Sequence, residues 1–271
     1  MKKIITILLL AFIIPIAWSL DIDPYKGPKP IAVLIQTDPW LMVIGSDTPM
    51  VAIYEDGQVI YLKKEKDKPS VYLHKQLTKD ELDGVKKKIV FFVQPSDIKR
   101  SYDLAPNVTD QPETKIYINI DGKIQATTIY GLIKSLPAYS SSGEKRPDQL
   151  PSLLTDLNDY LTNLSFPDAK EWEPAFVEAM VWGGDEVWGT KPSNIHWPKE
   201  WPGPNSPNSV KRKEIYSIFL PGTELTKLRN LVKEEYSGRG GVLIEGKQWA
   251  VDFRFTFPNE PVWIEAFKQN K

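Results

Sequence analysis

The alternation of apolar and polar positions is most regular between Pro49 and Ile89, where it predicts a hairpin, a further strand and a helix. The pair Asp56-Gly57 separates two apolar runs, which is a typical signal for a β-hairpin. A two-residue loop here would place Ile53 opposite Ile60. Both faces of this ribbon are then apolar, so we expect it to lie inside a sheet that is covered on each side.

Three stretches of the chain carry apolar residues at helical spacing. The first follows Thr78, and Glu81 three residues later has the form of a capping box. The second, 148–164, carries a stripe of leucines along one face. The third begins after Pro221-Gly222-Thr223. We therefore expect about three helices, and we expect them to cover one side of the sheet.

Short apolar runs predict single strands at 31–36, 71–74, 175–182 and 214–220. Two further hairpins are predicted to turn at Asp121-Gly122 and at Glu245-Gly246. At the first of these turns a two-residue loop would place Ile118 opposite Gln125 and scatter the apolar residues over both faces. A three-residue loop with Gly122 in the left-handed conformation instead pairs Ile118 with Ile124. The fold class predicted is α+β, with antiparallel sheet built from three hairpins plus single strands.

The N-terminal segment has the pattern of a secretory signal peptide. Two lysines precede an apolar run from Ile4 to Trp18, and Ala17 and Ser19 match a small-residue cleavage site. We expect residues 1–19 to be removed, so that the exported protein is periplasmic or extracellular and has no stable membrane span; a retained anchor is the alternative. Residues 20–271 would form a single α+β domain, or two lobes at 20–165 and 166–271.

Composition limits the classes of partner and of chemistry. Removal of Lys2 and Lys3 with the signal segment leaves 32 basic against 35 acidic side chains, a net charge of −3. This balance argues against nucleic acid as a partner. The chain has no cysteine, which excludes disulfides, thiol catalysis and cysteine metal sites. No cofactor is indicated, and the oligomeric state is left open.

A series of turn and cap motifs runs along most of the chain after the signal segment. With them the chain resembles a broad set of uncharacterised exported bacterial proteins that have repeated Asp-Gly hairpins and a late Trp-Pro segment. The resemblance brings no known activity, so no catalytic residue is carried over. The motifs are Tyr54-Glu55-Asp56-Gly57 with Val59, Leu77-Thr78, Thr109-Asp110, Asp121-Gly122, Tyr130-Gly131-Leu132, Trp197-Pro198 and Trp201-Pro202.

Two sets of residues are candidates for catalysis or metal binding. His74 and His196 are the only histidines, and their spacing is not that of metal ligands, so we expect no metal site. Four acids lie near tryptophans, and a pair of acids framed by aromatic rings is typical of a glycoside hydrolase. The same residues also fit a solvated acidic loop. They are Glu171, Glu173, Asp185 and Glu186.

The tryptophans themselves concentrate between residues 172 and 201, among several prolines. Prolines limit the conformational entropy lost on ordering, so such a segment suits a preformed aromatic surface. The alternative is a long loop whose tryptophans cover the sheet. We expect an exported, non-catalytic protein that binds a ligand or protein partner through this segment; the alternative function is a hydrolase acting on glycan. The candidate binding residues are Trp182, Trp188, Trp197 and Trp201.

Overall fold

The computed structural model describes residues 23–37, 39, 47–64, 70–93, 98–132, 148–183, 194–207, 209–238 and 241–268. The predicted signal segment lies outside these ranges. Within them the chain forms strands and helices in the mixture expected of an α+β fold, which confirms the fold class. The strands are β1 (Pro30–Thr37), β2 (Pro49–Tyr54), β3 (Gln58–Lys63), β4 (Val71–Gln76), β5 (Ser101–Asp103), β6 (Glu113–Ile120), β7 (Lys123–Tyr130), β8 (Lys170–Glu171), β9 (Phe176–Gly183), β10 (Ser209–Arg212), β11 (Ile215–Pro221), β12 (Val242–Ile244) and β13 (Lys247–Phe255). The helices are α1 (Lys79–Val93), α2 (Ser152–Thr162), α3 (Leu225–Gly238) and α4 (Glu260–Lys268).

The first sheet has eight strands in the order β5-β7-β6-β1-β2-β3-β4-β8. Its pairs are antiparallel except β5–β7, which is parallel. As expected from their two apolar faces, β2 and β3 lie inside this sheet and are covered on both sides. On one face Ile53 and Val59 pack with residues of α1 and α2, and on the other face Ile60 packs with Trp263 of α4.

The second sheet has five antiparallel strands in the order β10-β11-β9-β13-β12. One of its faces packs on α3, where Val181 and Val251 meet Leu228. Strand β13 continues toward the first sheet, and Phe257 beyond its end is fully buried in the core that also holds Trp172. Along the chain, the last strand of the first sheet ends at Glu171 and the first strand of the second sheet begins at Phe176. The division into one domain or two lobes stays a prediction.

Helix placement differs from the expectation that the helices cover one side. Helices α1 and α2 pack on one face of the first sheet, α4 packs on its opposite face, and α3 belongs to the second sheet. Helix α4, which was not predicted, has only nine residues. Its apolar contacts come from Trp263, Ile264, Ala266 and Phe267. The capping box is confirmed: the Thr78 amide donates to Glu81 Oε2 at 2.7 Å and the Glu81 amide to Thr78 Oγ1 at 3.3 Å. No helix in the described ranges is long and apolar enough to cross a membrane.

The register predicted for the first hairpin is wrong by one residue. Ile53 pairs with Val59 and Ala52 pairs with Ile60, so the loop contains three residues rather than two. Because both faces of this ribbon are apolar, either register buries the same kind of side chain, and the apolar pattern cannot choose between them. The loop is fixed instead by Gly57 (φ 89°), whose carbonyl accepts from the Leu77 amide at 2.9 Å.

The register predicted for the second hairpin is also wrong, in the opposite direction. Ile118 pairs with Gln125, and the loop is the two-residue turn Asp121-Gly122 with φ of 51° and 80°. Positive φ at both positions is the type I′ geometry that matches the twist of a hairpin, so the predicted left-handed Gly122 is confirmed. The register argument failed because it required Ile124 to be buried, whereas Ile124 is 57% exposed.

Candidate functional site

The Trp/Pro segment does not present an exposed aromatic face at Trp197 and Trp201. Both side chains are only 7% exposed and pack edge to face, with ring centres 4.9 Å apart, in the apolar core of the second sheet. The Trp197 indole N–H donates to the Pro202 carbonyl at 3.1 Å, and the Trp201 indole N–H donates to Glu224 Oε2 at 3.0 Å. The expectation that these two residues form a binding surface is therefore corrected.

The reason is that this segment covers the edge of the second sheet. The Trp197 amide donates to the Leu243 carbonyl at 3.1 Å, and the Leu243 amide donates to the Ile195 carbonyl at 2.8 Å. Backbone bonds of this kind hold the segment along β12 and turn its large side chains inward. Trp182 is half-buried in β9, and Trp188 lies outside the described residues.

The acids and histidines singled out from the sequence do not converge in the described part of the chain. Glu171 is exposed on β8 with its carboxylate 4.0 Å from Arg229, and Glu173 is also exposed. Asp185 and Glu186 are outside the described residues, so the hydrolase hypothesis stays a prediction. His74 lies on β4 and pairs with β3 and β8, while the other histidine lies beside β12.

A groove opens on the first sheet where α4 covers it only in part. Its floor is one row of directly paired residues across four neighbouring strands: Ser101 faces Thr128, Thr128 faces Lys115, and Lys115 faces Ile35. The row changes from hydroxyls through an ammonium group to a branched alkyl group. The cross-strand pairing fixes these side chains on a single face of the sheet.

Helix α4 supplies the wall of this groove. Trp263, Ile264, Phe267 and Lys268 line it together with the floor residues, and the volume is about 340 Å³. Trp263 is almost fully buried, so it contributes little surface to the groove. Glu113 also lines the groove, with its carboxylate 3.1 Å from the ammonium group of Lys115.

Asp47 lies at one end of the groove and leads to a buried charged centre. Its carboxylate is 3.9 Å from the guanidinium of Arg254, and the side chains are 53% and 3% exposed respectively. Arg254 projects from β13 on the face of the second sheet opposite the tryptophans. It bonds to Glu260 in the first turn of α4 and lies 3.5 Å from Glu178 of β9.

Two further groups complete this centre. The guanidinium of Arg212 is 3.5 Å from the carboxylate of Glu178. It also donates a hydrogen bond to the hydroxyl oxygen of Tyr25 at 3.3 Å. We call the set formed by Asp47, Glu178, Glu260, Arg212 and Arg254 the charged centre. It contains three carboxyl groups and two guanidinium groups. The carboxylate of Glu178 is 0% exposed, and neither of its oxygens has a hydrogen-bond partner among the described residues.

The surplus of carboxyl groups acts on the titration of Glu260. The pKa of Glu260 is raised to about 7, mainly by burial. The nearby Asp47 and Glu178 carboxylates also raise this pKa, whereas Arg254 and the Phe257 amide lower it. Burial is also the main reason that the pKa of Tyr25 rises to about 12. With a neutral Glu260 the charged centre is balanced, and with an ionised Glu260 it carries one uncompensated negative charge.

Sequence reasoning missed the charged centre, although a signal was present. Glu178 is the one charged residue in the apolar run 175–182, and Arg254 stands alone between Phe253 and Phe255. These two residues are directly paired on neighbouring strands. A single acid in one buried strand and a single base in another suggest an ion pair, since isolated charges are rarely buried.

Comparison with known proteins gave no relative: no protein-family model, curated protein or solved structure matches the chain. The resemblance to exported bacterial proteins with Asp-Gly hairpins therefore stays a prediction.

Proposed function

We propose that this is an exported, non-catalytic protein that binds a small, partly apolar ligand in the groove beside α4. The observation that carries the proposal is the groove's lining, in which Ile35 and Phe267 provide apolar surface while Thr128, Lys115 and Asp47 provide polar groups. Ligand sites in proteins commonly combine apolar walls with a few polar groups that fix orientation. The volume of about 340 Å³ is at the lower end of the usual range.

The proposal moves the binding site away from the Trp/Pro segment while keeping the class of function. Trp197 and Trp201 are buried in a hydrophobic core, whereas Ser101 and Lys268 of the groove are accessible to solvent. A glycan site usually offers the open face of an aromatic ring, and Trp263 is only 1% exposed. A small molecule with an apolar body fits this lining better than an extended glycan.

Export rests on the N-terminal pattern of two lysines, an apolar run and small residues ending at Ser19. N-terminal sequencing of protein recovered from outside the cytoplasm should give a first residue at Leu20. Material that still begins at Met1 would contradict cleavage and favour the retained anchor.

The binding site is tested by filling the groove. Replacing Thr128 with Trp places a large ring on the groove floor, and Ile124→Trp is the matched control on the same face of β7 outside the groove. Four compounds are tested singly by ligand-observed NMR: 2-phenylethylamine, 2-phenylethanol, phenylacetate and N-acetylglucosamine. We expect at least one to bind the wild type and Ile124→Trp but not Thr128→Trp. Binding of none, or undiminished binding to Thr128→Trp, would contradict the proposal.

A further inference from the structure

The charged centre and the groove share one residue, Asp47. Among the groups of the charged centre, the carboxyls of Glu178 and Glu260 and the guanidinium of Arg254 are almost entirely buried, while Asp47 is half-exposed and lines the groove. A molecule in the groove can therefore reach this centre through Asp47. When Glu260 is ionised the centre carries one uncompensated negative charge, so the charge that would then balance it is positive.

We propose that the groove binds a primary ammonium compound with an apolar body, its ammonium group at Asp47, and that binding releases a proton from Glu260. The inference rests on the proposed function and names its ligand class. The apolar body would lie against Ile35 and Phe267. Lys115 does not supply the missing charge, because its ammonium group is already paired with Glu113 at 3.1 Å.

The proton release follows from the groups that face Glu260. Arg254 of β13 favours its ionised form, as does the Phe257 amide, which donates to Glu260 Oε2 at 3.3 Å. Asp47 and Glu178 of β9 favour the neutral form, and burial favours it most. Within the described ranges three phenols also interact with Glu260, those of Tyr25, Tyr54 of β2 and Tyr72 of β4. They stay neutral near pH 7 because burial raises the pKa of each.

A ligand ammonium group at Asp47 offsets one of the two carboxylates that oppose ionisation of Glu260. The pKa of Glu260 should then fall from about 7 when the ligand binds. A group that is more acidic in the complex releases protons on binding, so affinity should rise with pH across the region where Glu260 titrates. Primary amines keep their charge throughout this range, since an unperturbed lysine has a pKa of about 10.4.

Isothermal titration calorimetry at pH 7, in phosphate and in HEPES, measures both affinity and proton release. We expect 2-phenylethylamine to bind about tenfold more tightly than the neutral 2-phenylethanol, the size of a partly exposed charge interaction. Asp47→Asn should remove this preference. The difference between the two buffers should correspond to release of about half a proton per ligand. Glu260→Gln should still bind the amine but release no proton.

A second measurement covers the case in which Glu260→Gln does not fold. In the wild type, affinity for 2-phenylethylamine should rise from about pH 6 to about pH 8 and then level off. If 2-phenylethanol or phenylacetate binds the groove and the amine does not, the ligand class is overturned while the proposed function stands. If Thr128→Trp weakens the binding of none of the four compounds, the proposed function itself fails. Amine binding without pH dependence or proton release would overturn the linkage to Glu260.

Discussion

Alternate residues of the same strands supply the two faces of the second sheet. Along β9, Val177, Ala179 and Val181 point into the apolar core that holds Trp197 and Trp201. Between them Glu178 points to the opposite face, where it meets Arg254. The apolar face gains stability from removing hydrocarbon surface from water, which does not depend on protonation. The charged face is stable only while its charges are compensated, so it can respond to pH and to a ligand.

The largest expected effect comes from removing the central cation. Arg254→Met leaves the carboxyl of Glu260 buried without a compensating charge and leaves Glu178 with only the half-exposed Arg212. Breaking a buried ion pair in this way costs about 3–5 kcal/mol. Urea unfolding at pH 8 measures the loss. The matched control replaces all three groups at once, as Glu178→Leu, Arg254→Met and Glu260→Leu, and should recover most of the stability. A wild-type midpoint for Arg254→Met would contradict the account.

A loss of similar size is expected on the apolar face, but without dependence on pH. Trp201→Ala should cost about 3–5 kcal/mol, as truncations of buried tryptophans do. The cost should differ little between pH 5 and pH 8, because the indole does not titrate and only its hydrogen bond to Glu224 involves a titratable group. Trp182→Ala, at a half-buried position of β9, is the control and should cost less. A Trp201→Ala protein as stable as the wild type would restore the exposed binding face.

The pH dependence of unfolding distinguishes the two faces directly. The pKa of Glu260 is about 7 in the folded protein against 4.5 when unperturbed, so the folded state binds the proton more tightly. Stability from this group is therefore complete below about pH 4.5 and is lost as pH rises to about 7, by up to about 3 kcal/mol. The free energy of unfolding of the wild type, relative to that of Glu260→Gln, should therefore decrease over this pH interval. The glutamine side chain of Glu260→Gln does not titrate, so its effect on stability is the same at every pH. A change of the difference with pH therefore reports the titration of Glu260.

The smallest effect concerns Ser217, which lies on the charged face of β11. Its side chain is fully buried, and its hydroxyl has no hydrogen-bond partner among the described residues. Ser217→Ala should leave stability unchanged or raise it by up to about 1 kcal/mol, because it removes an unsatisfied polar group. Thermal denaturation would show this, and a marked decrease in melting temperature would indicate a partner for the hydroxyl.

Local signals predicted much of the fold but not the pairing of its hairpins. The capping box at Thr78 and the left-handed Gly122 are properties of a few neighbouring residues, and both are confirmed. Register depends on what covers each face, which the sequence does not state. In the first hairpin both faces are covered, so the apolar pattern could not correct the assumed two-residue loop. In the second hairpin Ile124 is 57% exposed, so the apolar pattern favoured the wrong register.

The candidate site could be predicted even less, because its residues come from distant parts of the chain. Strand pairing brings Ile35, Lys115 and Thr128 together on the groove floor, and α4, some 130 residues after Thr128, packs beside them. The tryptophans misled because size and abundance do not determine exposure: the same rings that suit a binding surface also suit a core. Glu178 and Arg254 are a clearer signal of a buried charged site, since a lone charge in an apolar strand needs a partner.

The most direct test is the titration of Glu260 itself. Carbon-13 NMR of its carboxyl group, assigned by comparison with Glu260→Gln, gives the pKa in the free protein and with saturating 2-phenylethylamine. The account predicts a pKa of about 7 in the free protein, a lower pKa with the amine, and no such decrease in Asp47→Asn. A pKa near the ordinary glutamate value of about 4.3 in the free protein, or one that the amine leaves unchanged, would contradict it.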